Sequence, residues 1–356
     1  MAKHTEFDVI PPEEKISRNI IPYLTFPLTT KCLFRCAYCG VGGEATASKE
    51  ATPTLEFIIN RTLAAYDYGI RKFRLTGGEP TLHRQFGDIL HFFSGLKDVF
   101  LLVNTNAVLI RKEEKRLLSS AGENVHFAAS LDSLTPENFD LLSNTTGYFD
   151  QVIDGIKILA ERGRLLRLNM VVTRWNIHEV WPIITFCREL GCNLKLLDVV
   201  SVPIPYRDRD SIHIWTDPLE NSLARVSDLQ ETHQYARSFG TPCNIYTVEG
   251  VKITVKSTSH GARYDQEGIC RNCPYFPCHE GLYDLFLLPD GRLCGCRWSE
   301  SSVSPGNDFI EQLDRLVRVF QRAEWYQSDQ VLSMRPYPDF VRHNLSKRNN
   351  SMEDLQ

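Results

Sequence analysis

Between residues 20 and 200 the chain alternates short apolar runs with longer amphipathic ones, and this rhythm limits the possible folds more than any other feature. Strand-length runs fall at residues 20–29, 72–76, 99–104, 126–131, 167–173 and 194–200. Helix-length patterns fall between them, at 52–68, 85–96, 112–120, 136–142, 149–162 and 177–190. Thr52 is the expected N-cap of the first helix and Gly69 its stop. A strand repeatedly followed by a helix builds a parallel sheet through right-handed crossovers, so the expected fold class is α/β. The longest apolar runs are of strand length, so no membrane association is expected. The charged N-terminus lacks the apolar core of a signal peptide, which predicts retention in the cytoplasm. A net charge of −4 without a long basic run argues against a nucleic-acid polymer as partner.

Cysteine usage carries the chemistry. The chain has 11 Cys, and most fall into two groups. In the first, Cys32, Cys36 and Cys39 stand close together on the segment that follows the first strand. A four-iron cluster has four corners, usually filled by thiolates, so three Cys leave one iron open to a substrate or cofactor. Zinc is the alternative, but structural zinc prefers four ligands and no fourth stands nearby. Plain core thiols are the third reading, and the intervening Arg35 and Tyr38 form no packing pattern for them. The second group is Cys270, Cys273, Cys278, Cys294 and Cys296. It brackets an expected hairpin whose turn is Pro289-Asp290-Gly291 and which returns the last thiols to the first pair. Zinc is an open alternative for this group taken alone. Cys187 and Cys192 read as small core hydrophobes.

The Cys triplet resembles that of the radical SAM superfamily, in which it lies on the loop after the first strand of a partial (β/α) barrel. Gly77-Gly78-Glu79-Pro80 resembles that family's GGEP turn, which implies contact with the methionine amino group of S-adenosylmethionine. Thr105 and Asn106 at one strand end and Ser130 at the next match positions that contact the same cofactor in relatives; capping of the following loops is the alternative. The second Cys group resembles the extension of the GTP 3',8-cyclase (MoaA-like) branch and of twitch/SPASM domains. It implies an auxiliary [4Fe-4S] cluster on Cys270, Cys273 and Cys296, with Cys278 as a candidate fourth ligand. Cys294 is then the spare: a hydrogen donor to a substrate radical, or a bystander.

The implied architecture is a partial (β/α)6 barrel with a small C-terminal α+β Cys-rich domain. It divides the chain into an N-terminal arm at 1–19, the barrel at 20–200 and a connecting helix and strands at 201–260. The auxiliary-cluster domain and packing helix follow at 261–325, and a polar tail at 326–356. The connecting helix is expected at 218–238 and the packing helix at 308–325.

The chain departs from the cyclase pattern where that family has arginines, at Thr25, Asp284 and Phe286, and Met352 to Gln356 carry no Gly-Gly pair. The cationic positions Lys72, Arg74, Arg167 and Lys195 are retained, and converging cations suit a phosphate or carboxylate; exposed salt bridges are the bland alternative. The expectation is a radical SAM enzyme that abstracts hydrogen from a small anionic substrate other than GTP, a nucleotide or sugar derivative. It would need an electron donor such as flavodoxin or ferredoxin. The runner-up is a maturase of a ribosomally made peptide, although the segment before Cys32 is short for a leader-binding domain. A non-catalytic iron-sulfur carrier or regulator is a third class, which the GGEP turn disfavours.

Overall fold

A computed structural model describes residues 23–40, 52–199, 209–233, 243–271, 273, 282–296, 304 and 308–326. The N-terminal arm, Cys278, most of the Pro-containing linker after the sixth strand and nearly all of the polar tail lie outside the described residues. The barrel core alternates β1 (Leu24–Pro27), α1 (Leu55–Tyr68), β2 (Lys72–Thr76), α2 (Phe86–Ser94), β3 (Phe100–Thr105) and α3 (Glu114–Leu118). It continues with β4 (Val125–Ser130), α4 (Pro136–Ser143), α5 (Phe149–Glu161), β5 (Leu165–Val171), α6 (Val180–Leu190) and β6 (Asn193–Leu197). These six strands pair in parallel in chain order. This is the expected α/β, partial (β/α)6 barrel arrangement.

Burial follows the two faces of each strand. Leu24, Phe26, Phe73, Leu75, Leu101 and Val103 join the main core with helix residues such as Ile58 and Phe93. Their strand neighbours point the other way, into the chamber, where Phe100, Leu102 and Ala128 form a small apolar patch with Tyr23 and Leu166. Alternation of side chains along a strand produces the two faces.

The sheet does not stop at β6. After α7 (Arg209–Ile212) and α8 (Asp217–Val226) come β7 (Leu229–His233), β8 (Cys243–Val248) and β9 (Val251–Lys256). β9 pairs in parallel with β6, and the antiparallel β8 and β7 extend that edge. The expected helix at 218–238 is therefore shorter. It ends at Ser227, whose Oγ accepts from Thr247 N at 3.0 Å, and the following residues take the open edge of β8 instead. β10 (Ala262–Tyr264), β11 (Leu285–Leu287), β12 (Leu293–Cys294), α9 (Phe309–Arg322) and β13 (Glu324–Tyr326) complete the described chain. The expected hairpin is β11–β12, and β11 pairs in parallel with β1, on the opposite edge from β9. The packing helix ends at Arg322 because 324–326 pair with β10.

The first helix starts later than the sequence implies. Thr54, not Thr52, is the N-cap, its side chain accepting from Phe57 N at 3.1 Å. Gly69 ends the helix in the left-handed region as expected, at φ 114°.

Candidate active site

The Cys loop leaves β1 and is stitched to the turn that leaves β2. Leu28 N donates to Thr76 O, Gly78 N to Thr29 O and Glu79 N to Lys31 O, each at 2.7 Å. Two glycines make this approach possible. Gly77 sits at φ 139°, and a Cβ there would lie 2.5 Å from Thr29 O; a Cβ on Gly78 would lie 2.1 Å from Lys31 O. No other residue type fits either position without moving backbone. The far side of the loop rests on the end of α4, where Arg35 N and Ala37 N donate to the Ser143 and Leu142 carbonyls. These are carbonyls a helix leaves unsatisfied at its C-terminus. Phe34 is inserted between Phe139 and Tyr148, at 5.8 and 5.7 Å between ring centroids. Phe34 thus packs, although no periodicity announced it, while Leu33 and Arg35 beside it are exposed.

The three thiols stand together on this loop, with Cys32 exposed and Cys36 and Cys39 half-buried. Cys32 Sγ accepts from Phe34 N at 3.4 Å and from Asn106 Nδ2 at 3.8 Å. Although Cys32 is exposed as a residue, desolvation of its thiol pushes it up to about 11, and burial pushes the Cys36 thiol well above its ordinary value. Among the described residues no three His, Cys, Asp or Glu side chains converge as ligands of one ion. Three soft thiolate donors on one loop, close enough to interact electrostatically, fit an iron-sulfur group.

Glu79 is buried and accepts four hydrogen bonds: from Thr81 N, Thr81 Oγ1 and Thr105 Oγ1 on Oε1, and from Asn106 N on Oε2. Thr105 and Asn106 therefore orient Glu79, and they also cap their own loop through Ala107 N and Val108 N. Burial raises the Glu79 carboxyl above its ordinary value, opposed by these donors. Pro80 opens a single 3-10 turn, Pro80–Leu82, with Glu79 as its N-cap. Ser130 ends β4 opposite Asn169 of β5.

Sequence reasoning missed the contact between Tyr38 and Asp132. Tyr38 Oη donates to Asp132 Oδ2 at 2.5 Å, and Val171 N donates to Oδ1 at 2.8 Å. Burial lifts the Asp132 carboxyl from 3.8 to about 6. The only prior signal was the position of Asp132 at a strand end.

The retained cations divide between two walls. On β2, Arg74 forms a buried ion pair with Asp284, whose Oδ2 also accepts from Thr25 Oγ1 at 2.9 Å. Tyr23 covers Arg74 at 4.4 Å and Lys72 at 5.9 Å from its ring centroid. On β5 and β6, Arg167 donates to Asn169 Oδ1 at 2.9 Å, and Lys195 stands opposite Asn169. Arg167 and Lys195 alternate with Leu168, Leu194 and Leu196, which belong to the helix-side core, so they occupy the chamber face.

The second Cys group divides between the two faces of the sheet. Cys270, Cys273 and Cys296 join the main core, whereas Cys294 joins Phe286, Leu288 and Tyr283 on the chamber side. The turn carrying Cys270 is fixed by Asp265, whose main-chain carbonyl accepts from Cys270 N at 2.9 Å and whose carboxylate is forked by Arg322.

A parallel α/β barrel with three thiols on its first loop, locked against a Gly-Gly-Glu-Pro turn, defines an iron-sulfur enzyme. The chain belongs to the radical SAM superfamily. That family's model matches residues 26–187. A probable GTP 3',8-cyclase of Methanocella arvoryzae is 32% identical over 258 residues, 71% of this chain and 76% of that protein. Another, from Methanothermobacter thermautotrophicus, is 26% identical over 84% of this chain and 92% of that protein. Two solved structures share the fold. Streptococcus suis SuiB aligns with a TM-score of 0.56 at 18% identity, over 78% of this chain and 60% of that one. The chain thus spans less than two thirds of SuiB. The anSMEcpe structure with bound AdoMet aligns with a TM-score of 0.56 at 15% identity, over 89% of this chain and 84% of that one. Membership implies a [4Fe-4S] cluster and S-adenosylmethionine as cofactors. No helix among the described residues is long and apolar enough to cross a membrane.

Proposed function

We propose that this radical SAM enzyme removes hydrogen from a small anionic molecule, a nucleotide or sugar derivative, in a biosynthetic pathway. The observation that carries the reading is the thiol loop locked against the GGEP turn, on the same sheet whose inner face bears Arg167 and Lys195. Cys32, Cys36 and Cys39 would hold the first cluster, and Gly77, Gly78, Glu79, Pro80, Thr105, Asn106 and Ser130 would line the S-adenosylmethionine site. With an electron from a flavodoxin or ferredoxin, these cofactors supply a 5'-deoxyadenosyl radical, which attacks unactivated C–H bonds that side-chain acids and bases cannot. The chain's own task is to fix one C–H bond and exclude water. Arg167 and Lys195 would hold the substrate's anionic group, whereas Lys72, the other retained cation of β2, lies against the Tyr23 ring. Arg74, also retained, is committed to Asp284.

A second [4Fe-4S] cluster on Cys270, Cys273 and Cys296, with Cys278 as fourth ligand, would occupy the 261–325 region. The shared helix-side location of the first three thiols supports it. Cys294 stands apart on the chamber side, which suits a hydrogen donor. Its S–H bond would break as a substrate C–H bond forms, and an electron and a proton from the external reductant would restore the thiol. The peptide-maturase reading draws on the fold shared with SuiB, also solved bound to precursor peptide SuiA. Relatives of higher identity are named for a nucleotide reaction, which favours the small molecule.

Iron counting after anaerobic reconstitution tests the cofactor assignment. About eight irons per chain are expected, falling to about four in Cys32→Ala/Cys36→Ala/Cys39→Ala and to about four in Cys270→Ala/Cys273→Ala/Cys296→Ala. About four irons in the unaltered chain would remove the auxiliary cluster.

A further inference from the structure

On the β1–β2–β11 wall a guanidinium is paired with a carboxylate of the same chain. Arg74 is 8% and Asp284 2% exposed, so the pair is removed from solvent. The two residues come from distant parts of the chain, brought together because β1 pairs with β2 on one side and β11 on the other. Thr25 stands opposite Arg74 across the first pairing and donates to the same carboxylate oxygen that Arg74 holds. Phe100, Leu102 and Ala128 then interpose apolar surface before the wall that carries Arg167. An anion arriving at Arg74 would have to displace Asp284 and leave that carboxylate buried without its partner, which is strongly unfavourable.

We propose that Asp284 determines the substrate class by cancelling Arg74. The β1–β2–β11 wall then receives an uncharged part of the substrate, and the phosphate or carboxylate goes to the β5–β6 wall. This inference rests on the small-anion reading above and says which end of the molecule lies where.

Inorganic pyrophosphate, titrated calorimetrically into the reconstituted enzyme, is the probe. Asp284→Ala should bind it at least about tenfold more tightly than the unaltered chain, because a buried guanidinium is released to accept it. Pyrophosphate should also raise the melting temperature of Asp284→Ala more than that of the unaltered chain. Arg74→Met/Asp284→Leu removes the pair as a unit and should return the affinity to that of the unaltered chain. Unchanged pyrophosphate affinity in Asp284→Ala, or a loss in the double variant as large as that of Arg167→Met, would overturn the proposal. Should Asp284→Ala fold poorly, Asp284→Asn supplies the same comparison with the side-chain volume kept. Formation of 5'-deoxyadenosine by the unaltered enzyme is measured in parallel; its absence would sink the functional reading, whereas the pyrophosphate comparison reports on Asp284 alone.

Discussion

At the scale of single residues, the site depends on atoms that have no room to move. A methyl group on Gly78 would meet Lys31 O at 2.1 Å, so Gly78→Ala must shift the Cys loop away from the GGEP turn. A displacement of this size costs on the order of 100-fold in a reaction that depends on positioning, and S-adenosylmethionine cleavage by the reconstituted variant should fall accordingly. Asp132 gives a pH-dependent signature. Its carboxyl titrates near 6 in the folded chain against 3.8 ordinarily, so the folded state holds the extra proton between those values. The stability this contributes is complete below about pH 4 and is lost as pH rises to 6, by about 3 kcal/mol in all. Urea unfolding of the cluster-free chain should therefore show Asp132→Asn gaining on the unaltered chain across that interval; a constant difference would refute the assignment. The thiols and glycines of the site are legible in the sequence because their chemistry is local. The Tyr38–Asp132 and Arg74–Asp284 contacts are not, because they join residues 94 and 210 positions apart.

Elements were legible where local signals agreed and illegible where an edge strand competed. The second strand, 72–76, falls where its apolar run predicts, and Gly69 ends α1 by adopting a conformation that glycine favours. Thr52 and Thr54 both precede the helix, and composition cannot choose between two N-caps two residues apart. The structure selects Thr54, so Thr54→Ala should lower the stability of the cluster-free chain by about 1 kcal/mol and Thr52→Ala by much less, measured as the urea midpoint. Residues 229–233 look helical in isolation, but β8 presents unpaired backbone that they satisfy as β7. Backbone groups must find partners, and the sheet supplies them where local propensity is weak.

For the molecule as a whole, the sheet order makes the region after the barrel part of the barrel's own wall. β11 and β12 cover one edge and β9, β8 and β7 the other. A chain cut after residue 260 keeps all six core strands, the Cys triplet and the GGEP turn, yet it exposes the edge of β1. Uncovered edges associate, so this fragment should elute as aggregate in size-exclusion chromatography, whereas the full chain should not. The alternation that announced six parallel strands says nothing about what covers the two edges, since those pairings join segments that no local pattern connects.

The central claim is that the Cys32, Cys36 and Cys39 loop makes this chain a radical SAM enzyme. Formation of 5'-deoxyadenosine from S-adenosylmethionine after anaerobic reconstitution and dithionite reduction measures it most directly. The unaltered enzyme should form it, and Cys32→Ala/Cys36→Ala/Cys39→Ala should form none while retaining the iron of the second group. Absence of 5'-deoxyadenosine from the fully reconstituted unaltered enzyme, or an equal rate in the triple variant, would contradict the account.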